Sequence, residues 1–227
     1  MISILCPSRG RPVLAKKMID TALSLAGAPI EILLYLNEDD PELEKYQYLI
    51  DSKHIIVGPD RSPVFSWNKL AENAKYDILM LQGDDAWFET NNWALKVIEA
   101  FEQYPDKIVF VYPDLEGYPW KGGYLTADHC PHFFIHRNWI DTVGYFVAPH
   151  FWHWYVDTWW RDVAKIIDRR HIIKDLKIPL LVDFDDITDH RKDMLCNRER
   201  DHWLWSRTQQ WLQNDAIALL QKINIRT

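Results

Sequence analysis

The first half of the chain alternates β-rich runs with segments of helical spacing, and that order restricts the fold more than any single motif does. Ile2 to Cys6 is a short apolar run ended by PSRGRP. From Val13 to Leu25 the apolar residues recur at helical spacing, with Leu14, Met18, Ile19, Ala22 and Leu25 on one stripe. Ile30 to Leu36 is a second β-rich run closed by NEDDP, and ELEKYQYLI after it reads as a short helix started by Pro41. His54 to Val57 is a third strand. A helix then runs from Ser62-Pro63 to Asn73, a strand from Asp77 to Gln82, a helix from Asn91 to Gln103 and a strand from Ile108 to Tyr112. Strands separated by helices need crossover connections, so the expectation is an α/β chain with a mostly parallel, doubly wound sheet flanked by helices.

Such sheets bind ligands at the carboxyl ends of their strands. The loops expected there are PSRGR, NEDD, GPDR and GDD, all charged. One polar loop is ordinary solubility. The fourth is less ordinary, because in LMLQGDDAWF an apolar run built for the middle of a sheet ends in two adjacent carboxylates, Asp84 and Asp85. Two neighbouring anions repel, so the local physics asks for a cation. Four charged loops with a carboxylate pair among them point to a nucleotide-type ligand held with a metal.

Composition narrows the class. With 227 residues, 48% of them hydrophobic and 26% charged, the chain has enough material for one domain with a sizeable core. No apolar run approaches the ~20 residues of a membrane span, and MISILCPSRG lacks the pattern of a signal peptide, so a soluble cytoplasmic protein is expected. Cys6, Cys130 and Cys196 are far apart and lack metal spacing, which argues against a disulfide framework or a zinc knuckle. A net charge of -7 with scattered basic residues argues against a protein that coats nucleic acid. Most of the twelve tryptophans follow position 119, in YPW, FWHWYVDTWW and HWLWSRTQQW, so the second half differs in character from the first.

The ordered set PSRGRP, YLNEDDP, WNKLAENA and YDILMLQGDDAWF resembles the nucleotide-binding half of GT-A glycosyltransferases, in particular small bacterial and bacteriophage members similar to glycosyltransferase family two. The likeness continues through Gly144 to Pro149, the aspartate of WYVDTWWRDVA and the late histidine of DITDHRKD, followed by Asp201. It implies a single Rossmann-like GT-A domain. Residues 1–113 would form the nucleotide-sugar half, 114–202 a Trp-rich acceptor and catalytic half, and 203–227 a C-terminal helix.

The resemblance also implies roles. The family's carboxylates after the fourth strand hold a divalent cation on the diphosphate of the sugar nucleotide. Here the first acidic position of that motif is Gln82, leaving Asp84 as the metal-bearing carboxylate and Asp85 as a second ligand or a sugar contact. Hard carboxylates suit Mg2+ or Mn2+, and a histidine in the shell tilts the choice to Mn2+. His190 is the candidate histidine, with Asp189 and Asp193 as competitors; Asp183, Asp185 and Asp186 add an acidic stretch that a solvated loop also explains. Pro7, Ser8 and Arg9 would line the base and diphosphate, and Arg9 or Arg11 would pair with phosphate. Glu38 and Asp39 would meet the ribose or base, Asp60 with Arg61 would close the base pocket, and Asn68 would fix the following loop. The donor expected first is a UDP-sugar.

Transfer with inversion needs a base for the acceptor hydroxyl, and Asp157 stands where the resemblance puts it. Arg161 is its expected neighbour at helical spacing, Asp162 is a competitor, and a capping role for Asp157 is the alternative. Trp120, Trp152, Trp154, Trp159 and Trp160 are candidates for a stacking platform, against a core role for most of them. The segment PDLEGYPWKGGYLTADHC has the composition of a covering loop that would exclude water from the donor. WLWSRTQQWLQNDAIALLQKI is helical in pattern, for packing on the sheet or pairing in a homodimer. The acceptor would be a saccharide, a lipid-linked sugar, a protein or a hydroxylated DNA base. Two other readings stay open: a nucleotidyltransferase, although PSRGRP has only Gly10 where a glycine-rich phosphate loop is needed, and a non-catalytic module that binds carbohydrate or nucleic acid.

Overall fold

A computed structural model describes residues 1–120, 123–181 and 189–225, apart from the side chains of 120, 123 and 189–196. Strands and helices alternate as β1 (Ile2–Ser8), α1 (Pro12–Leu25), β2 (Ile30–Asn37), α2 (Leu43–Tyr46), β3 (Ile55–Gly58), α3 (Pro63–Asn73), β4 (Ile78–Leu81), α4 (Trp93–Glu102) and β5 (Phe110–Pro113). A hairpin of β6 (Pro119–Trp120) and β7 (Gly123–Tyr124) follows. Then come β8 (Phe133–His136), α5 (Arg137–Val143), α6 (Val156–Ile166), β9 (Arg170–Ile173), α7 (Asp189–Arg207) and α8 (Gln209–Asn224). Local signals start two of the helices: Pro12 occupies the first turn of α1, and Ser62 Oγ caps α3 by accepting from Phe65 N at 3.0 Å, ahead of Pro63.

The main sheet has seven strands in the order β3-β2-β1-β4-β8-β5-β9. Every neighbouring pair is parallel except those made by β8, which runs antiparallel to both β4 and β5. The sequence pattern did not announce β8, a four-residue run inserted between the expected fourth and fifth strands. It matters for the site, because its first residue, Phe133, pairs with Leu81, the last of β4. His132 therefore stands at the edge where the parallel strands end.

Strand alternation divides the core into two layers. Leu5, Leu33, Leu79 and Leu81 face a cluster that includes Trp67 of α3, Trp139 of α5 and Trp159 and Trp160 of α6. Ile4, Cys6, Leu34 and Met80 face the other way, onto Met18 of α1 and Trp93 and Val97 of α4. The tryptophan excess is largely explained here. Trp159 and Trp160 are fully buried and tied by hydrogen bonds, Trp159 Nε1 to Asp215 Oδ2 at 2.9 Å and Trp160 Nε1 to Phe146 O at 2.7 Å. They are core residues and cannot serve as a stacking platform. Trp152 and Trp154 are half-buried, and the side chain of Trp120 lies outside the described residues.

The C-terminal region forms two helices that part at Thr208. Its Oγ1 donates to Leu204 O at 2.7 Å, and α8 buries Leu212, Ala216, Leu219 and Ile223 against the first core layer. Trp203 and Trp211 are left exposed on its outer side. Among the described residues no helix is long and apolar enough to cross a membrane.

Candidate active site

Strand register builds the centre of the site. In the β1–β4 pair Leu5 lies opposite Leu81, and Gln82 N still donates to Leu5 O at 3.2 Å. Three residues further along each chain are Ser8 and Asp84, and they meet: Ser8 Oγ donates to Asp84 Oδ2 at 2.5 Å. Ser8 Oγ is also 2.8 Å from the Tyr46 hydroxyl, which accepts from Arg11 N at 2.9 Å. Because an ionised carboxylate only accepts, the protons run from Tyr46 to Ser8 to Asp84.

Asp84 is 1% exposed, and burial pushes its carboxyl up to about 6, with the Arg11 guanidinium pulling it down and Asp85 pushing it up. Arg11 is the cation that the carboxylate pair faces. Its Nε donates to Asp84 Oδ2 at 3.1 Å, its Nη2 lies 2.5 Å from Asp84 Oδ1, and its Nη1 lies 3.5 Å from Asp85 Oδ2. The contact at Oδ1 is an ion pair without a hydrogen bond. Gly83 lies between Gln82 and the pair. A Cβ there would come within 2.6 Å of Asp85 Oδ1. Gln82 is buried at the turn, where its Nε2 donates to Ala86 O at 3.3 Å and its main-chain carbonyl accepts from Trp67 Nε1 at 3.3 Å.

The first three loops supply the rest of this side. Pro7 lies in β1 opposite Tyr35 of β2. Arg9 ion-pairs with Asp39, with one bond of 3.0 Å, and lies 3.8 Å from Asp60. Glu38 is exposed, with its main-chain N on Gly58 O at 2.8 Å. Arg61 covers the Phe65 ring at 4.7 Å from its centroid. Asp40 also holds the first loop, its Oδ2 accepting from Gly10 N at 2.9 Å. Gly10 has a φ of 65°, a conformation that suits glycine. Asn68 ties α3 to the loop after α5: its Oδ1 accepts from Phe146 N at 3.0 Å and its Nδ2 donates to Val147 O at 2.8 Å.

The other wall comes from the Trp-rich half. His132 is 2% exposed with neither ring nitrogen hydrogen-bonded, and burial lowers its pKa to about 4 against the opposing charge of Asp85. Two residues earlier, Cys130 Sγ contacts Asp157 O at 3.7 Å, which places the first turn of α6 beside the same sheet edge. The Asp157 carboxylate is half-buried, and its Oδ1 accepts from Thr158 N at 2.8 Å. The helix cap is Tyr155, so Asp157 lies one turn position inside the helix. Arg161 is paired with its neighbour Asp162, at 2.9 Å from Nε, and reaches Asp128 O.

Asp201 organises this wall from α7. Fully buried, it accepts from Trp152 N, His153 N and Trp154 N at 2.9 to 3.0 Å. His153 in turn stacks on Trp67 with ring centroids 5.7 Å apart, linking the loop before α6 to the helix that holds Gln82. Among the residues that sequence reasoning missed, Tyr46 and Asp40 act through contacts between distant loops, and His132 stands buried beside the end of β4. Their only prior signals were the DDP of the second loop and the PHFF run.

Asp84 and Asp85 fit a divalent cation in part: they offer hard oxygens, and one of these is buried and held by an ion pair without a hydrogen bond. Among the described residues no group of three or more His, Cys, Asp or Glu gathers to hold a metal. The side chains of His190, Asp189 and Asp193 lie outside the described residues, as do Asp183, Asp185 and Asp186. The chain does leave the described region beside the pair, since Leu181 N donates to Asp85 O at 2.7 Å.

No family model and no curated protein sequence matches this chain. Solved structures do. The mannosyltransferase PcManGT from Pyrobaculum calidifontis, in complex with GDP-Man and Mn2+, superposes with a TM-score of 0.62 at 9% identity, over 99% of this chain and 73% of that one. S. aureus TarS 1-349 with UDP-GlcNAc gives 0.60 at 12% identity, over 84% and 60% of the two chains. The same TarS fragment with UDP gives 0.58 at 12%, over 78% and 59%. The chain thus spans less than two thirds of the TarS fragment in these superpositions. In fold, the chain is similar to glycosyltransferases solved with UDP, UDP-GlcNAc and GDP-Man.

Proposed function

We propose that the protein is a glycosyltransferase that moves a sugar from a nucleotide-sugar donor to a hydroxyl acceptor, with a divalent cation at the site. The observation that carries this reading is the pair Asp84 and Asp85 at the strand ends, one of them buried with an oxygen held by an ion pair alone, in a fold similar to nucleotide-sugar transferases. Asp84 and Asp85 would hold the cation, with His190 as the further ligand, and the cation would neutralise the diphosphate leaving group. Mn2+ is preferred because a neighbour of this fold was solved with it. A UDP-sugar is the donor placed first, since two neighbours hold UDP or UDP-GlcNAc, and a GDP-sugar second.

The chain's own residues divide the remaining work. Pro7, Ser8, Arg9, Glu38, Asp39, Asp60 and Arg61 lie at the ends of β1 to β3, where a nucleotide would lie across the loops. Arg11 is the guanidinium placed to meet a diphosphate. Asp157 is the base: the acceptor oxygen bonds to the anomeric carbon, the bond from that carbon to the diphosphate oxygen breaks, and the acceptor proton passes to the carboxylate. That in-line displacement inverts the anomeric centre. The half-buried Trp152 and Trp154 stand near Asp157 in sequence and supply flat faces for a saccharide or for a modified base in DNA.

Calorimetric titration with a panel of nucleoside diphosphates, with Mn2+ and then with chelator, tests the reading. Saturable, metal-dependent binding of one nucleotide that is lost in Asp84→Ala is the expected result. Absence of binding for every nucleotide would assign the carboxylates to structure and favour a binding module.

A further inference from the structure

A guanidinium and a divalent cation are in competition for the same oxygens. Arg11 contacts Asp84 through Nε and Nη2 and Asp85 through Nη1, which covers the carboxylate pair on which a cation would sit. Two cations sharing these oxygens in a buried setting would repel strongly. Among the described residues Asp84 has one other partner, Ser8, so losing the guanidinium leaves a buried anion with no cation beside it. No third ligand joins the pair among the described residues. Magnesium-type cations complete their shells with substrate phosphates in such sites.

The side chain and the main chain of Arg11 are held differently. Arg11 N is fixed on the Tyr46 hydroxyl and Arg11 O accepts from Ala15 N at 3.0 Å, so the Cα is anchored at the start of α1. The guanidinium side chain is 35% exposed. A diphosphate arriving at the end of β1 offers it a planar, bidentate acceptor in exchange for the carboxylates.

We propose that Arg11 is a resident counter-ion of the Asp84 and Asp85 pair, displaced when cation and nucleoside diphosphate arrive together and then transferred to the diphosphate. The transfer to diphosphate rests on the glycosyltransferase reading; the competition between Arg11 and the cation rests on the geometry alone. Cation binding is therefore coupled to nucleotide. Either ligand by itself binds weakly, the cation because the guanidinium is in its place, the nucleotide because drawing Arg11 away uncovers Asp84.

The test is Mn2+ affinity, read from the electron paramagnetic resonance signal of the free ion, in the wild type and in Arg11→Met, first with no nucleotide. The expected result is at least about tenfold tighter Mn2+ binding in Arg11→Met, since removing a like charge at this distance is worth that factor or more. Adding Asp84→Asn to that variant should abolish the gain. Equal affinity in wild type and Arg11→Met would overturn the proposal. Should Arg11→Met fail to fold, Arg11→Gln keeps a donor for Asp84 without the charge and gives the same readout. In the wild type, UDP or GDP should then tighten Mn2+ binding, and should do so less in the variant. If Arg11→Met gains Mn2+ while neither nucleotide has any effect on the wild type, the competition stands and the transfer to a donor diphosphate falls with the glycosyltransferase reading.

Discussion

Ser8 Oγ donates to Asp84 Oδ2 across 2.5 Å, joining two residues 76 positions apart in the chain. The contact follows from register, since both residues lie three past the Leu5 and Leu81 pair, and it makes the carboxylate part of the sheet edge instead of a free loop. Ser8→Ala removes that donor and leaves the Tyr46 hydroxyl facing a methyl group. The expected cost is roughly 1–3 kcal/mol in urea denaturation, the penalty of stranding a buried polar group. A cost near zero would mean that Ser8 and Asp84 do not meet in solution.

Gly83→Ala separates site geometry from stability. The added Cβ would lie 2.6 Å from Asp85 Oδ1, and the flexible carboxylate can move away while the backbone stays. A melting temperature within a few degrees of wild type is expected, with nucleotide and Mn2+ binding weakened by about tenfold or more as Asp85 swings out of line. Unchanged binding in a folded Gly83→Ala would show that the position of Asp85 is unimportant.

His132 makes a pH prediction with a definite sign. Its folded pKa is about 4 against an ordinary 6.5, because burial disfavours the imidazolium while Asp85 opposes that effect only in part. The unfolded chain therefore takes up the proton first, and the stability is fully present above 6.5 and lost as pH falls toward 4. At pH 5 the loss is on the order of 2 kcal/mol at about 1.4 kcal/mol per unit. Asp84, whose carboxyl is raised, acts with the opposite sign over an overlapping range, so the comparison must be between proteins. His132→Leu is the nearer apolar match in volume and loses no hydrogen bond. Its urea stability should fall less between about pH 7.5 and 5 than that of wild type, and equal falls would show that His132 titrates normally.

Asp201 is expected to act on the acceptor side at a distance. Its carboxylate accepts from three successive main-chain nitrogens, so Asp201→Ala strands buried donors and should cost roughly 3 kcal/mol or more. Asp201→Asn keeps one acceptor oxygen and should cost less. In that milder variant nucleotide binding should persist, because the donor loops lie elsewhere, while turnover falls as the loop of Trp154 and the start of α6 loosen. Loss of nucleotide binding in a folded Asp201→Asn would place its effect on the donor side instead.

The alternating half of the chain was readable because its burial pattern is regular. Met18, Ile19 and Ala22 face the core as their spacing implied, and strands one to four fall within a few residues of their expected bounds. β8 was not readable, since four residues carry no period and its place between β4 and β5 is a matter of topology alone. The same holds within the site. Asp84 was visible as an anion at the end of an apolar run, but that its nearest cation is Arg11 depends on how the first loop turns at Gly10. Trp159 and Trp160 carried no sign in composition that told a core ring from a stacking one. Asp201 stood in the sequence only as the aspartate that follows the late histidine in the family resemblance, and the fold of residues 152–154 makes it an acceptor of main-chain bonds.

Asp157→Asn is the variant that addresses the chemistry. The amide keeps the size of the side chain and its hydrogen bond from Thr158 N, at 2.8 Å in the wild type, so the first turn of α6 should form and the melting temperature should hold. Metal-dependent nucleotide binding should also hold, because Asp84, Asp85 and Arg11 are untouched. What the amide cannot do is accept the acceptor proton. Transfer to a hydroxyl acceptor should therefore drop by about 10²- to 10⁴-fold in kcat, the range expected when a general base is removed. The melting temperature separates this from a capping role. Removing a base lowers kcat in a protein that melts as the wild type does, whereas removing a residue that only braces the helix lowers the melting temperature and leaves kcat of the folded protein near wild type.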